Sequence, residues 1–207
     1  MAIKPLAITA YTVTNALGRG IAASLTALRN GQSGLRPCDF EDAGLPTWIG
    51  RVADVEDEPL TGKFAAFDCR NNRLARLALE QDGFAATARQ ARDRYGADRI
   101  GGFIGTSTSG IGATEHAYRD RDPATGSLPE TFDYRHTHNL FSAADLTRRW
   151  LGLTGIALAV STACSSSAKV FASAFRHMSA GFCDAAVVGG VDSLCLTTLY
   201  GFNALGL

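Results

Sequence analysis

Apolar residues run almost unbroken through 156–160, give way to small hydroxyl residues around Cys164, and recur at helical spacing before a second apolar run at 185–188 closes on Gly189 and Gly190. Short continuous apolar runs bounded by turn residues are the pattern of strands buried on both faces of a parallel sheet, and the longer periodic segment between them predicts a helix. The order strand, tight turn, helix, strand places Cys164 where α/β sheets collect their chemistry. Upstream, residues 6–13 read as a first strand. A helix with Ile21, Leu25 and Leu28 on one face then runs from about Gly18 to Gly31, a glycine suited to ending it. Residues 32–60, broken at Pro37, Pro46 and Pro59, predict an irregular excursion with one short strand at 48–52. Leu74, Leu77, Ala78, Ala85 and Ala88 predict the longest helix, over 71–95, ended by Gly96. A glycine-rich strand at 100–105, a short helix at 112–119, a polar loop at 119–129 and an amphipathic helix at 139–150 capped near Gly152 complete the pattern.

Charge changes little in this picture. Twenty basic and twenty acidic side chains cancel, which points away from nucleic acid. Locally, Arg70, Arg73, Arg76, Arg89, Arg92, Arg94 and Arg99 crowd the long helix and its ends, as a solvated face or as a dock for an acidic partner. Five cysteines without a C-x-x-C pair signal neither a disulfide framework nor a zinc ribbon, so a reducing cytoplasm is expected. The first residues make a poor signal-peptide core, and no run approaches the roughly 20 apolar residues of a membrane span.

Several motifs can be weighed on their chemistry. Gly18-Arg19-Gly20-Ile21-Ala22-Ala23 matches a dinucleotide fingerprint, but Thr14 to Leu17 separate it from the preceding strand. The segment from Gly105 to Gly110 has phosphate-loop spacing, yet Ile111 stands where a lysine should, and it misses a G-x-S-x-G elbow at Ser109. Ser166 and Lys169 form the S-x-x-K of penicillin-recognising serine enzymes, without the S-D-N and K-T-G partners. His136 and His138, with Asp133 nearby, lack a third strong ligand, so no metal site is assigned. His177 reads as structural.

Cys164 stands apart. Cys183 and Cys195, set among apolar neighbours, read as inert buried thiols. Small residues surround Cys164, leaving room for a long substrate, and unpaired N–H groups at a helix N-terminus favour a thiolate. A helix end contributes about 0.3–1 kcal/mol, so a further base, most often histidine, is expected to complete such a site.

The run from Val160 to Ser167, with Ala180-Gly181, the segment from Asp184 to Gly190, and Thr197 to Phe202, resembles the nucleophile region of β-ketoacyl-[acyl-carrier-protein] synthases, which have a thiolase-like fold. Residues 7–35 resemble the family's opening strand and helix. Residues 104–111 resemble its glycine-rich segment lining the acyl cavity near the dimer interface. The resemblance implies a layered α/β fold, a mixed sheet with helices on both faces, with 1–207 as one N-terminal domain. It also implies that Cys164 accepts an acyl chain from an acyl-carrier protein, its own N–H serving as an oxyanion donor. A decarboxylating malonyl thioester would then condense with that acyl group, without cofactor or metal. Thr106, Ser107, Thr108, Ser109, Gly110, Ile111, Ala163 and Ser165 would line the acyl pocket. Partners would be the carrier protein and a second thiolase-like subunit, identical or related, meeting at residues 156–160. Family members are about twice this length, and their second half supplies two histidines, a lysine and the other oxyanion amide. None of His116, His136, His138 or His177 lies in a matching motif, and Lys169 stands where relatives often carry histidine. The alternatives are a catalytically silent thiolase-like partner subunit and, more remotely, a serine hydrolase using Ser166.

Overall fold

The computed structural model describes residues 5–206, so Met1 to Lys4 and Leu207 lie outside the described residues. Residues 6–13 form no strand. The first ladder is the pair β1 (Thr14–Asn15) and β2 (Gly18–Arg19), and Leu6, Ile8 and Tyr11 are exposed. A strand needs a neighbour for its N–H and C=O groups, and among the described residues this stretch has a single backbone partner at its end, the Gly20 N–H donating to the Val13 carbonyl at 2.8 Å. Helix α1 (Ile21–Arg29) lies where the spacing predicts it. Gly31 takes φ 63° while Gln32 N–H donates to the Ala27 carbonyl at 2.9 Å and Gly31 N–H to that of Leu28 at 3.1 Å, a Schellman ending. The buried face is not the expected one: Ser24 and Ala27 are buried, whereas Leu25 and Leu28 are exposed. Strands β3 (Leu35–Pro37) and β4 (Trp48–Gly50) pair antiparallel, shortening the strand expected at 48–52 to three residues.

The helix expected over 71–95 is two helices, α2 (Arg70–Leu79) and α3 (Phe84–Tyr95). Asp82 and Gly83 between them adopt left-handed conformations, φ 55° and 70°, which stop helical hydrogen bonding. The periodicity runs through this break because it reports burial, and Leu79, Ala85 and Ala88 bury into one cluster with Ile100, Leu151 and Leu153. Asp82 also accepts the first free N–H of α1, that of Ile21, on both carboxylate oxygens at 3.0 and 3.1 Å. The expected basic face is largely neutralised. Acids from the irregular segment before α2 pair with its arginines: Glu56 with Arg70, Asp68 with Arg73 at 2.6 Å, Glu58 with Arg76 at 2.8 Å. Arg89, Arg92 and Arg99 pair with Glu80, Asp93 and Asp184, leaving Arg94 alone of this group outside an ion pair among the described residues.

At the centre, β5 (Ile100–Gly105) lies between β6 (Ala157–Val160) and β7 (Ala185–Gly190); in the chain, α4 (Ile111–Arg119) and α5 (Ser142–Leu151) precede β6, α6 (Ser166–Ser179) joins β6 to β7, and α7 (Leu196–Ala204) follows β7. All three strands are parallel, in register from Gly102↔Ala157 to Gly105↔Val160 and from Ile100↔Ala185 to Gly105↔Gly190. In place of one mixed sheet, the described residues thus hold a parallel core plus two antiparallel hairpins. Helices cover both of its faces, and alternate β5 side chains show how. Phe103 packs against Val170 and Ala174 of α6, while Ile100 meets Leu151 and Ile104 meets Ala143 and Ala144 of α5. Glycine in β5 and β7 lets α6 come close. A Cβ at Gly105 would stand 2.7 Å from the backbone of Ser166 and Ser167, and one at Gly190 would strike Ser167 Oγ at 1.8 Å. The N-terminus of α6 therefore rests directly on the strand ends.

Candidate active site

That close approach forces a sharp turn between β6 and α6. Ala163 takes φ 51°, left-handed for a residue with a Cβ, and Ser165 stands at the N-cap position of the helix that Ser166 begins, with no capping bond from its side chain. The Ala163 carbonyl accepts three bonds, from Ser166 N–H at 3.1 Å, Ser166 Oγ at 2.7 Å and Ser107 Oγ at 2.9 Å. Thr162 N–H donates to Ser166 Oγ at 2.9 Å, and Ser165 Oγ donates to the Thr162 carbonyl at 2.9 Å. Cys164 sits at the crown of this turn. It is exposed and opens on a cleft of about 480 Å³.

The cleft is lined by Ala163, Ser107, Thr108 and Asp192 beside the thiol, together with apolar Val52, Val55, Leu74, Leu194 and Phe202. An apolar hollow with a few convergent polar groups is the ordinary form of a small-molecule site. Of the residues expected to line it, Ser107, Thr108 and Ala163 do. Thr106 and Ser109 are buried behind the surface and serve the loop: the Ser109 N–H donates to Thr106 Oγ1 at 2.9 Å. Gly110 and Ile111 open α4, and a Cβ at Gly110 would lie 2.3 Å from the Thr137 carbonyl oxygen, so this glycine serves packing. The Ser165 hydroxyl is spent within the turn, on the Thr162 carbonyl. Val52, Val55 and Leu74 were missed because they come from the excursion and from α2, where no motif marks them. Asp192 was missed too; its sole signal is its place just after the glycines that end β7.

The other motifs find structural work. Asp82 fills the α1 N-terminus where the dinucleotide reading would set a phosphate, and Asp192 fills the loop after Gly105 in the same way. Ser166 is 1% exposed with its hydroxyl committed to Ala163 and Thr162, which removes it as a nucleophile, while Lys169 is exposed. His136 pairs with Asp133 at 2.6 Å, and His138 bonds Thr114, so the two rings serve different partners. His177 Nδ1 donates to the Ser173 carbonyl at 2.7 Å, its ring lying near Phe103 and Phe182. Among the described residues no histidine lines the cleft. Cys69, Cys183 and Cys195 are buried, and burial pushes the Cys69 thiol up to about 11.

Residues 4–207 match the family described as Beta-ketoacyl synthase, N-terminal domain. The chain belongs to that family. A non-reducing polyketide synthase of Macrophomina phaseolina (strain MS6), dpmpA, is 30% identical over 158 residues, 71% of this chain and 7% of that protein. A second, azaA of Aspergillus niger, is 30% identical over 120 residues, covering 58% of this chain and 4% of its own length. The ketosynthase ApeO in complex with its chain length factor ApeC, from Xenorhabdus doucetiae, superimposes with a TM-score of 0.74 at 28% identity, covering 92% of this chain and 48% of that one. The ishigamide ketosynthase/chain length factor has a TM-score of 0.73 at 23% identity and shares the fold, covering 94% of this chain and 49% of its own. The chain thus spans about half the length of these solved ketosynthase-family structures, and its fold is thiolase-like α/β. No described helix is long and apolar enough to cross a membrane.

Proposed function

We propose that this chain is the nucleophile-bearing, N-terminal half of a β-ketoacyl-[acyl-carrier-protein] synthase, with 1–207 as one domain. The observation that carries the reading is the placement of Cys164: an exposed thiol on a left-handed turn at a helix N-terminus, opening on a largely apolar cleft. The Cys164 thiolate attacks the carbonyl of an acyl-carrier thioester, a new C–S bond forms, and the carrier thiol leaves with a proton. Loss of carbon dioxide from a malonyl-carrier thioester then creates a carbanion that attacks the acyl carbon and expels the Cys164 thiolate. This is covalent catalysis, with the Cys164 N–H as one oxyanion donor. By the family resemblance, two histidines, a lysine and the other oxyanion amide come from the second half of the enzyme.

The carrier protein and a second thiolase-like subunit are the partners of this reading, and the cytoplasm is its compartment. Strand β6 lies at the edge of the sheet, free to pair with the same strand of a second subunit across a two-fold axis. The ketosynthase/chain-length-factor pairs among the solved relatives make a related partner as natural as an identical one. A silent partner subunit is the second reading, and the exposed cysteine argues for the active one. Incubating the full-length protein with an acyl-carrier thioester and mapping the acyl mass by peptide digestion separates them. Label on Cys164 that vanishes in Cys164→Ala is expected. Label on Ser166, or label that survives Cys164→Ala, overturns the proposal, and no label at all returns the silent subunit.

A further inference from the structure

One carboxylate oxygen beside the cleft carries four hydrogen bonds. Asp192 Oδ1 accepts from the N–H groups of Ser107 at 2.6 Å and Thr108 at 3.0 Å, and from the hydroxyls of Thr106 and Thr108, each at 3.1 Å. The Ser193 N–H donates in turn to Thr108 Oγ1 at 3.1 Å. Asp192 follows β7 and the loop it holds follows β5, so these bonds tie together the C-terminal ends of neighbouring parallel strands. The same loop reaches the nucleophile turn through Ser107 Oγ, which donates to the Ala163 carbonyl at 2.9 Å. Ala163 is the left-handed residue next to Cys164, and such a conformation persists only where its surroundings hold it.

We infer that Asp192 is a positioning residue for Cys164, acting through Ser107 and the Ala163 carbonyl to hold the turn from which the thiol meets the cleft. What Cys164 does there rests on the function proposed above; where it is held does not. Bonds to an ionised acceptor are roughly twice as strong as neutral ones. The Asp192 carboxylate also satisfies two backbone N–H groups and two hydroxyls that would otherwise lose their partner, Thr106 being wholly buried. An asparagine keeps the acceptor oxygen and loses the charge, whereas an alanine removes the acceptor. Ser107→Ala cuts only the link between loop and turn.

The test uses the full-length protein and a short acyl-carrier thioester, with single-turnover acyl transfer to Cys164 as the readout. Ser107→Ala and Asp192→Ala are each expected to slow transfer by roughly tenfold, with KM within about twofold of the original. Asp192→Asn should recover most of the rate, and the double variant should be no slower than Asp192→Ala, because both changes break one chain of contacts. Multiplying losses, or a tenfold rise in KM at constant rate, would overturn the inference. Should Asp192→Ala fail to fold, Ser107→Ala decides alone, and an unchanged rate there sinks the proposal. If the unaltered protein takes no acyl label, the functional reading has failed and the clamp is read by alkylation of Cys164 with iodoacetamide, which needs neither carrier nor acyl group. A change of about threefold or more in Ser107→Ala then supports it, and an unchanged rate overturns it.

Discussion

Two thiols show how much a cysteine's surroundings decide. Cys164 is exposed on its turn, whereas Cys69 is buried and its thiol is pushed up to about 11 by that burial. The thiolate is the reactive form, so at pH 8 only about one Cys69 in a thousand is available, before access is considered. Iodoacetamide at pH 8 should therefore label Cys164 first and Cys69 at least tenfold more slowly, read by peptide mass; equal labelling would contradict the burial described for Cys69. The residue before the nucleophile makes its own prediction. Ala163→Val puts a β-branched side chain at φ 51° and should destabilise by about 1–3 kcal/mol in urea unfolding, whereas Ala163→Gly should be neutral or stabilise by up to about 1 kcal/mol. Cys164 was legible in the sequence because a cysteine among small residues between an apolar strand and a helix pattern has few other uses. The left-handed Ala163 and the clamp at Asp192 were not, since alanine carries no preference for that conformation and an aspartate 28 positions further along the chain from Cys164 gives no sign of the loop it holds.

Among the elements, the strands at 100–105, 157–160 and 185–190 and the helices α4 and α6 that follow the first two stood out because apolar runs and helical periodicity both report burial, whereas α7, which buries no side chain, was not read as a helix. Less legible was what interrupts or faces away. The break at Asp82 and Gly83 leaves the apolar stripe intact, and α1 turns Ser24 and Ala27 inward although Leu25 and Leu28 are the more apolar pair. Glycine separates these cases further. Gly105 and Gly112 look alike in sequence, but a Cβ at Gly105 would lie 2.7 Å from the backbone of α6, while one at Gly112 would meet nothing within 4 Å. Gly105→Ala should push α6 off the sheet and cost roughly 2–4 kcal/mol, with loss of acyl transfer as the turn moves. Gly112→Ala, within α4, should stabilise by up to about 1 kcal/mol. Urea midpoints of the two variants test this directly, and a Gly105→Ala protein as stable as the original would refute the close packing.

Across the whole molecule, the acidic excursion and the arginine-rich helix read as separate features and turn out to be one, because the acids before α2 neutralise its basic face. This arrangement sets how the fold responds to acid. Burial alone would raise the Asp68 carboxyl, but Arg73, donating from Nε and Nη2 at 2.6 Å each, and the Leu60 N–H outweigh it and hold the group below its ordinary value of 3.8. Glu58 is held low by hydrogen bonds from Arg19 and Arg76, and Glu56 by Arg70 against the opposing effect of burial. A carboxylate whose folded pKa lies below its unfolded one adds stability that is fully present above the unfolded value and lost as the pH falls through the folded one. The protein should therefore be insensitive to pH from about 7 down to 5 and lose stability steeply below about pH 4. Asp68→Asn should be less stable than the original at pH 6 by about 1–2 kcal/mol, yet lose less between pH 6 and pH 3, because it no longer has a proton to take up there. Urea unfolding at the two pH values measures both quantities. An Asp68→Asn protein whose loss from pH 6 to pH 3 equals that of the original would show that the acid response arises elsewhere than in the Asp68–Arg73 pair.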